Sequence, residues 1–246
     1  LALYKSYDKF NGSALVSDGG EVIHKGGNGW ANMEWKIQNS ADTKHRLGSI
    51  TKQFTAMLIL QLMEDGKLEL EDPIIKFIPE YPKERGEIIT VHHLLTHTSG
   101  TPNYTSFPSF FQKDSREAYS PMEFVGYFCD STLNFQPGSN FEYSNSGYFL
   151  LGVIIEELTG NTYKEELKTR IFDPLEMKDT GYDNHPDILE KRAAGYERQG
   201  LSYINAPYLD MSLPYSAGSM YSTVEDLYTW DQALYTNKLI SEESKM

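Results

Sequence analysis

Gly48-Ser49-Ile50-Thr51-Lys52-Gln53-Phe54-Thr55-Ala56-Met57 decides how this chain is read. Apolar residues recur at helical spacing from there (Ile50, Phe54, Met57, Leu58, Leu62), and Glu64-Asp65-Gly66 supplies a glycine stop, so the stretch predicts the start of an amphipathic helix. Residues three apart are neighbours on a helix surface, which puts the Ser49 hydroxyl beside the Lys52 amine. At a helix start, free backbone N–H groups and the positive dipole end favour a developing negative charge. A lysine kept neutral by burial can take or position the hydroxyl proton. An acyl-transfer nucleophile needs these features together. Spacing alone leaves a plainer reading open, a capping serine with an exposed lysine one turn on. Ser6-Tyr7-Asp8-Lys9 has the same spacing without the context and is assigned no function.

Upstream, Ser13 to Ser17 and Glu21 to Lys25 flank Asp18-Gly19-Gly20, a hairpin signal, and Gly26-Gly27-Asn28-Gly29 is expected to break the pattern. His45-Arg46-Leu47 then leads into Ser49. Downstream, from Leu68 to about Leu213, the signals are mostly helices and loops. A short helix is expected to end near Ile78-Pro79, and others to cover Val91 to Leu95, Pro121 to Cys129, Gly147 to Leu158, and Tyr163 to Phe172 with a stop at Asp173-Pro174. Residues 101–120 form an aromatic loop (Tyr104, Phe107, Phe110, Phe111, Tyr119) expected to shape a substrate pocket. Ala193 to Tyr203 reads as a hairpin around Gln199-Gly200. Ser222-Thr223-Val224-Glu225 reads as a capping box for a helix through Leu234. The order is strands, a helical body, and a return toward the sheet. This predicts one α+β domain, an antiparallel sheet flanked by helices, with a helical subdomain over about 68–213.

At 246 residues the chain can bury a sizeable core. Acidic residues outnumber Lys and Arg by 35 to 22, which argues against nucleic-acid partners because phosphate binding needs basic patches. No apolar run reaches the ~18 residues of a membrane span. Cys129 is the only cysteine, so no internal disulfide can form. No signal-peptide pattern and no initiator Met are read at the start of the sequence, and Leu1 is expected to be a processed or trimmed end.

A serine–lysine pair needs a further group to relay the proton. Tyr-x-Asn occurs at Tyr143-Ser144-Asn145, Tyr203-Ile204-Asn205 and Tyr235-Thr236-Asn237. Tyr203 falls in the hairpin, and Tyr235 at a helix C-terminus where Asn237 reads as a cap. Tyr143 alone sits in a loop before an apolar helix, which can hold a side chain rigidly over a cleft.

With these residues in view the chain resembles the penicillin-binding protein and class C β-lactamase superfamily, which includes D-alanyl-D-alanine carboxypeptidases, D-aminopeptidases and family VIII esterases. The resemblance rests on Phe10-Asn11-Gly12-Ser13, Gly48 to Thr55, Gly66-Lys67-Leu68, Leu94-Leu95-Thr96-His97-Thr98-Ser99-Gly100, Pro137-Gly138, Tyr143 to Tyr148 and Ala217 to Thr223. It implies Ser49 as nucleophile, with its backbone N–H in the oxyanion hole, and Lys52 as its partner. It implies Tyr143 as base in acylation and proton donor to the leaving group, and Asn145 as a hydrogen-bond partner of substrate or lysine. The implied enzyme is a cofactor-free, metal-free serine hydrolase. It would pass through an acyl-enzyme on an amide, ester or β-lactam carbonyl of a small molecule or peptide, in an extracytoplasmic setting. A non-turnover penicillin-binding sensor and an inactive peptide-binding scaffold are the alternatives, and the oligomeric state stays open.

Members of this group carry a third motif, a Lys- or His-containing triad with Gly, on a later strand that supplies a second oxyanion donor. His97-Thr98-Ser99-Gly100 matches an upstream structural loop instead, which also accounts for His92, His93 and His97 without a metal. The expectation is that the functional protein continues beyond Met246 and begins before Leu1, with the second donor outside this sequence. Tyr-Ser-Asn, where class A β-lactamases have Ser-Asp-Asn, speaks against class A. Glu157, near the position of the class A deacylating glutamate, is expected to be only a surface helix end.

Overall fold

The computed structural model describes residues 10–200 and 202–245, so the Ser6–Lys9 repeat of the motif lies outside the described residues. The hairpin forms as expected from β1 (Gly12–Asp18) and β2 (Glu21–Asn28), antiparallel around Gly19-Gly20. Gly26-Gly27-Asn28 does not break the pattern, because β2 runs on to Asn28. The glycine is needed there for close approach: a Cβ on Gly27 would lie 2.1 Å from the Asn39 carbonyl oxygen. β3 (Trp30–Asn32) pairs with β4 (Ile37–Gln38).

β5 (His45–Arg46) leads through a 3₁₀ turn at Gly48–Ile50 into α1 (Thr51–Glu64), with Gly66 in the left-handed region (φ +68°) after it. Phe54, Met57, Leu58 and Leu62 are buried as the spacing predicts. Ile50 is not: it lies in the turn, off the apolar stripe, and is 41% exposed.

The body holds α2 (Lys83–Gly86), α3 (Val91–Leu95), α4 (Pro121–Phe128), α5 (Asn145–Thr159), α6 (Tyr163–Leu167) and α7 (Asp173–Leu175). The segment ending near Ile78-Pro79 shrinks to a 3₁₀ turn at Ile74–Lys76. Pro174 does not stop the helix begun at Tyr163. A π turn at Lys168–Phe172 intervenes, and Pro174 falls in the first turn of α7, where its missing N–H is harmless. α5 begins two residues earlier than expected, at Asn145, because Ser144 caps it by accepting from the Gly147 N–H. Every residue from Ser146 to Ile155 is buried, so α5 runs through the middle of the molecule. Phe149 meets Tyr104 (6.3 Å) and Phe124 (5.0 Å), which roots the aromatic loop in the core.

The chain then returns through β6 (Gly181–Tyr182), the hairpin β7 (Tyr196–Gln199) with β8 (Ser202–Asn205), α8 (Tyr215–Gly218), β9 (Met220–Ser222) and α9 (Val224–Leu234). β9 is the middle strand of an antiparallel sheet ordered β5-β9-β6. The cap of α9 is Thr223, accepting from Asp226, one residue later than the expected box. Asn237 does not cap this helix; its side chain accepts from Lys245. α9 supports both halves: Trp230 stacks on Phe54 at 4.0 Å, and the Tyr228 hydroxyl donates to the Gly20 carbonyl in the hairpin turn. The architecture is α+β. Among the described residues no helix is long and apolar enough to cross a membrane.

Candidate active site

β5 and the 3₁₀ turn carry Ser49 to the first turn of a helical run, where backbone N–H groups lack intrahelical acceptors. Lys52 is buried one turn on, with Nζ 3.2 Å from Ser49 Oγ. It also donates to Asn145 Oδ1 (2.8 Å) and to the Ala217 carbonyl (2.7 Å). The Tyr143 hydroxyl donates to Ser49 Oγ at 2.6 Å. The four side chains singled out in the sequence therefore meet at one point, from the 3₁₀ turn, from α1, from the loop before α5, and from the first residue of α5. Tyr203 and Tyr235 do not join them. Tyr203 lies on β8, and Tyr235 is 79% exposed after α9.

Burial pushes the Lys52 ammonium down to about 7. The surrounding oxygens and the Tyr143 ring, 4.8 Å from Nζ, favour the cation and oppose the shift. Both protonation states are therefore accessible near neutrality. The neutral amine keeps two N–H bonds, enough for Asn145 and Ala217, and turns its lone pair to Ser49 Oγ–H.

Asn145 is itself oriented, since its amide group donates to Asn103 Oδ1 and Thr105 Oγ1, each at 3.3 Å. A cavity of about 350 Å3 opens beside Ser49. Tyr104, Phe110, Phe111, Leu209 and Met211 give it apolar walls, Arg46 also lines it, and among the described residues no carboxylate does. The aromatic loop thus borders the site, as its composition suggested.

Sequence reasoning missed Ala217, which holds Lys52 through a backbone carbonyl that no side-chain motif reveals. The one available signal was the run Ala217-Gly218-Ser219 next to a short strand. It also missed Thr51 and Thr55, which sit beside the catalytic-type pair on α1. The Thr51 hydroxyl accepts from the Met220 N–H, and the Thr55 hydroxyl donates to the Ser216 carbonyl, so α8 and β9 are pinned to α1 on either side of Ala217.

Of the three histidines, His93 accepts from the Thr90 N–H and His97 from the Ser144 N–H, so each is engaged locally. Burial, with the Lys52 charge second, pushes His97 down to about 4. Among the described residues no group of His, Cys, Asp or Glu side chains is arranged to hold a metal ion.

The chain is similar to several known proteins. Penicillin-binding protein 4* of Bacillus subtilis is 33% identical over 255 residues, covering 96% of this chain and 55% of that protein. The crystal structure of a penicillin-binding protein from Bacillus halodurans superimposes with a TM-score of 0.87 at 30% identity, covering 99% of this chain and 76% of that one. That of a D-amino acid amidase from Ochrobactrum anthropi gives 0.81 at 31%, covering 95% and 66%. The chain spans about half the length of the curated relatives it matches. The beta-lactamase family model matches residues 2–245. With this fold and this match along nearly its whole length, the chain belongs to the beta-lactamase family.

Proposed function

We propose that this protein is a serine hydrolase working through an acyl-enzyme, with Ser49 as nucleophile. The observation that carries the reading is Ser49 Oγ held between Tyr143 OH at 2.6 Å and Lys52 Nζ at 3.2 Å. Ser49 Oγ attacks the substrate carbonyl carbon, its proton passes to neutral Lys52, and the carbonyl π electrons move to the oxygen. The Ser49 N–H stabilises that oxyanion; one such donor is typically worth about 3–4 kcal/mol. As the carbon–leaving-atom bond breaks, Tyr143 O–H protonates the leaving atom and is itself reprotonated from Lys52. Water then attacks the ester by the same route in reverse, freeing Ser49 and the acid. Asn145 lines the cavity and holds Lys52, its own amide N–H groups being taken up by Asn103 and Thr105.

The apolar cavity beside Ser49 supports acyl groups with an aromatic or aliphatic side chain, on an amide or ester. The amide arm agrees with the amidase among the similar structures. The test is intact-mass measurement after exposure to a penicillin, a p-nitrophenyl ester and a D-Ala-D-Ala peptide, beside fluorophosphonate labelling. Wild type should label once, on Ser49, and turn over at least one substrate; Ser49→Ala should do neither while staying folded. An adduct on another serine would overturn the assignment. A stable adduct with no turnover would indicate a sensor.

A further inference from the structure

His97 occupies a position where a helix end ordinarily uses glycine. α3 ends in paired bonds from Thr98 N–H to the His93 carbonyl (2.9 Å) and from His97 N–H to the Leu94 carbonyl (3.4 Å). This pattern places the residue between them in the left-handed region, and His97 is there at φ +59°. A side chain in that region is strained where glycine is not. Something must hold the imidazole there.

The contacts of His97 surround Tyr143 and its neighbours in the chain. Its ring packs on the Tyr143 ring at 4.6 Å and on the Tyr148 ring at 5.0 Å. Its Nδ1 accepts from the Ser144 N–H at 3.2 Å, and its carbonyl accepts from the Glu142 N–H at 2.9 Å. The peptide that follows Tyr143, the backbone N–H of Glu142 before it, and its ring are thus all engaged by a single residue. Tyr143 itself is 40% exposed, with its hydroxyl on Ser49 and its ring 4.8 Å from Lys52 Nζ.

We infer that His97 is a positioning residue for Tyr143, holding the phenol at hydrogen-bond distance from Ser49 through the peptide after Tyr143, the Glu142 N–H before it and the packed ring. The inference rests on the proposed role of Tyr143. A small misplacement of a reacting group costs up to about 100-fold in rate, so loss of this clamp acts on turnover more than on binding.

The experiment is a double-mutant cycle in the intact protein, read as kcat and KM for a p-nitrophenyl ester, with His97→Asn as the conservative variant. Asparagine tolerates the left-handed region and carries an acceptor at the δ1 position. His97→Ala should lower kcat about 10- to 100-fold with KM changed less than about threefold. His97→Asn should recover most of kcat, and His97→Ala should have almost no further effect in a Tyr143→Phe background. If Tyr143→Phe lowers kcat more than about 100-fold and the two losses multiply, or His97→Ala is silent, the positioning role is overturned and the catalytic reading stands. A harmless Tyr143→Phe overturns both.

Discussion

The amine of Lys52 lies 2.7 Å from the carbonyl oxygen of Ala217, a residue 165 positions later in the chain. Through this contact α8, just ahead of the last strand, takes part in placing Lys52. A backbone acceptor cannot be removed by mutating its own side chain, but Ala217 is 2% exposed, so a larger residue there would move the carbonyl by overpacking. The contact persists as long as α8 keeps its place against α1.

Because burial holds Lys52 at about 7, its neutral form should control the acid limb of activity. The kcat/KM profile should rise with pH through about 7 and flatten above. A limb near 10 instead would mean that Lys52 stays an ordinary cation.

The same shift predicts a stability signature. The folded value lies below the ordinary 10.5, so between about 7 and 10.5 the unfolded chain binds more protons than the folded one. Wild-type stability should therefore gain with rising pH across that window relative to Lys52→Met, which has nothing to titrate. The full difference is on the order of 5 kcal/mol at ~1.36 kcal/mol per pH unit. Urea unfolding at pH 7, 8.5 and 10 measures it, and parallel curves for the two proteins would rule it out.

Phe110 and Phe111 are adjacent, both line the cavity, and should behave in opposite ways. Phe110 is 1% exposed and Phe111 66%. Phe110→Ala should destabilise by about 3–5 kcal/mol. Phe111→Ala should change stability by less than about 0.5 kcal/mol yet raise KM for aromatic acyl esters more than for acetyl esters. Equal effects on both esters would remove Phe111 from the acyl pocket.

The split between what the chain revealed and what it hid has a physical origin. Ser49, Lys52, Tyr143 and Asn145 were legible because local spacing, helix starts and recognisable motifs mark them. The hairpins and the 51–64 and 145–159 helices were legible for the same reason, since periodicity and turn residues act over a few positions. Ala217 and His97 were not, because one acts by its carbonyl and the other through a contact between residues 47 apart. Gly27 was misread because a glycine in a strand looks like a break until the segment pressed against it is known.

Gly152 makes the same point with a sign that can be tested. Glycine inside a helix costs about 1 kcal/mol relative to alanine, so Gly152→Ala would ordinarily stabilise α5. Here a Cβ would lie 2.2 Å from Ser216 Oγ and 2.5 Å from Tyr215 Cε1, and Ser216 is fixed by its bond to the Tyr148 carbonyl. The variant should instead lose about 1–3 kcal/mol through overpacking. It should also lose activity, because Ser216 adjoins Ala217. Adding Ser216→Ala should restore part of both; a Gly152→Ala protein more stable than wild type would contradict this packing.

Asp183 tests how the sheet supports the site. Its side chain is 1% exposed and accepts from Arg46 Nε at 2.5 Å and from an Arg192 terminal nitrogen at 2.9 Å. Its own N–H donates to the Ser219 carbonyl at 2.7 Å. Arg46 lies on β5, three residues before Ser49, and lines the substrate cavity. Asp183→Asn keeps the shape but leaves two guanidinium groups without their counter-charge and turns an amide N–H₂ toward donors. The Arg46 and Arg192 side chains are 40% and 30% exposed and can be re-solvated, so the expected loss is about 1.5–3 kcal/mol, that of hydrogen bonds to a charged group. Asp187 provides the contrast. It pairs with Lys164 at 3.4 Å with both side chains more than half exposed, so Asp187→Asn should cost no more than about 1 kcal/mol. High salt should erase the Asp187 effect and leave most of the Asp183 effect, because buried pairs are screened far less. The Asp183 variant should also turn over substrate more slowly, since an unanchored Arg46 loosens the strand that delivers Ser49. Urea unfolding of both variants at low and high salt, with ester hydrolysis alongside, decides the matter. Two small and equally salt-sensitive losses would show that Asp183 is an ordinary surface charge and that the sheet holds Ser49 by backbone pairing alone.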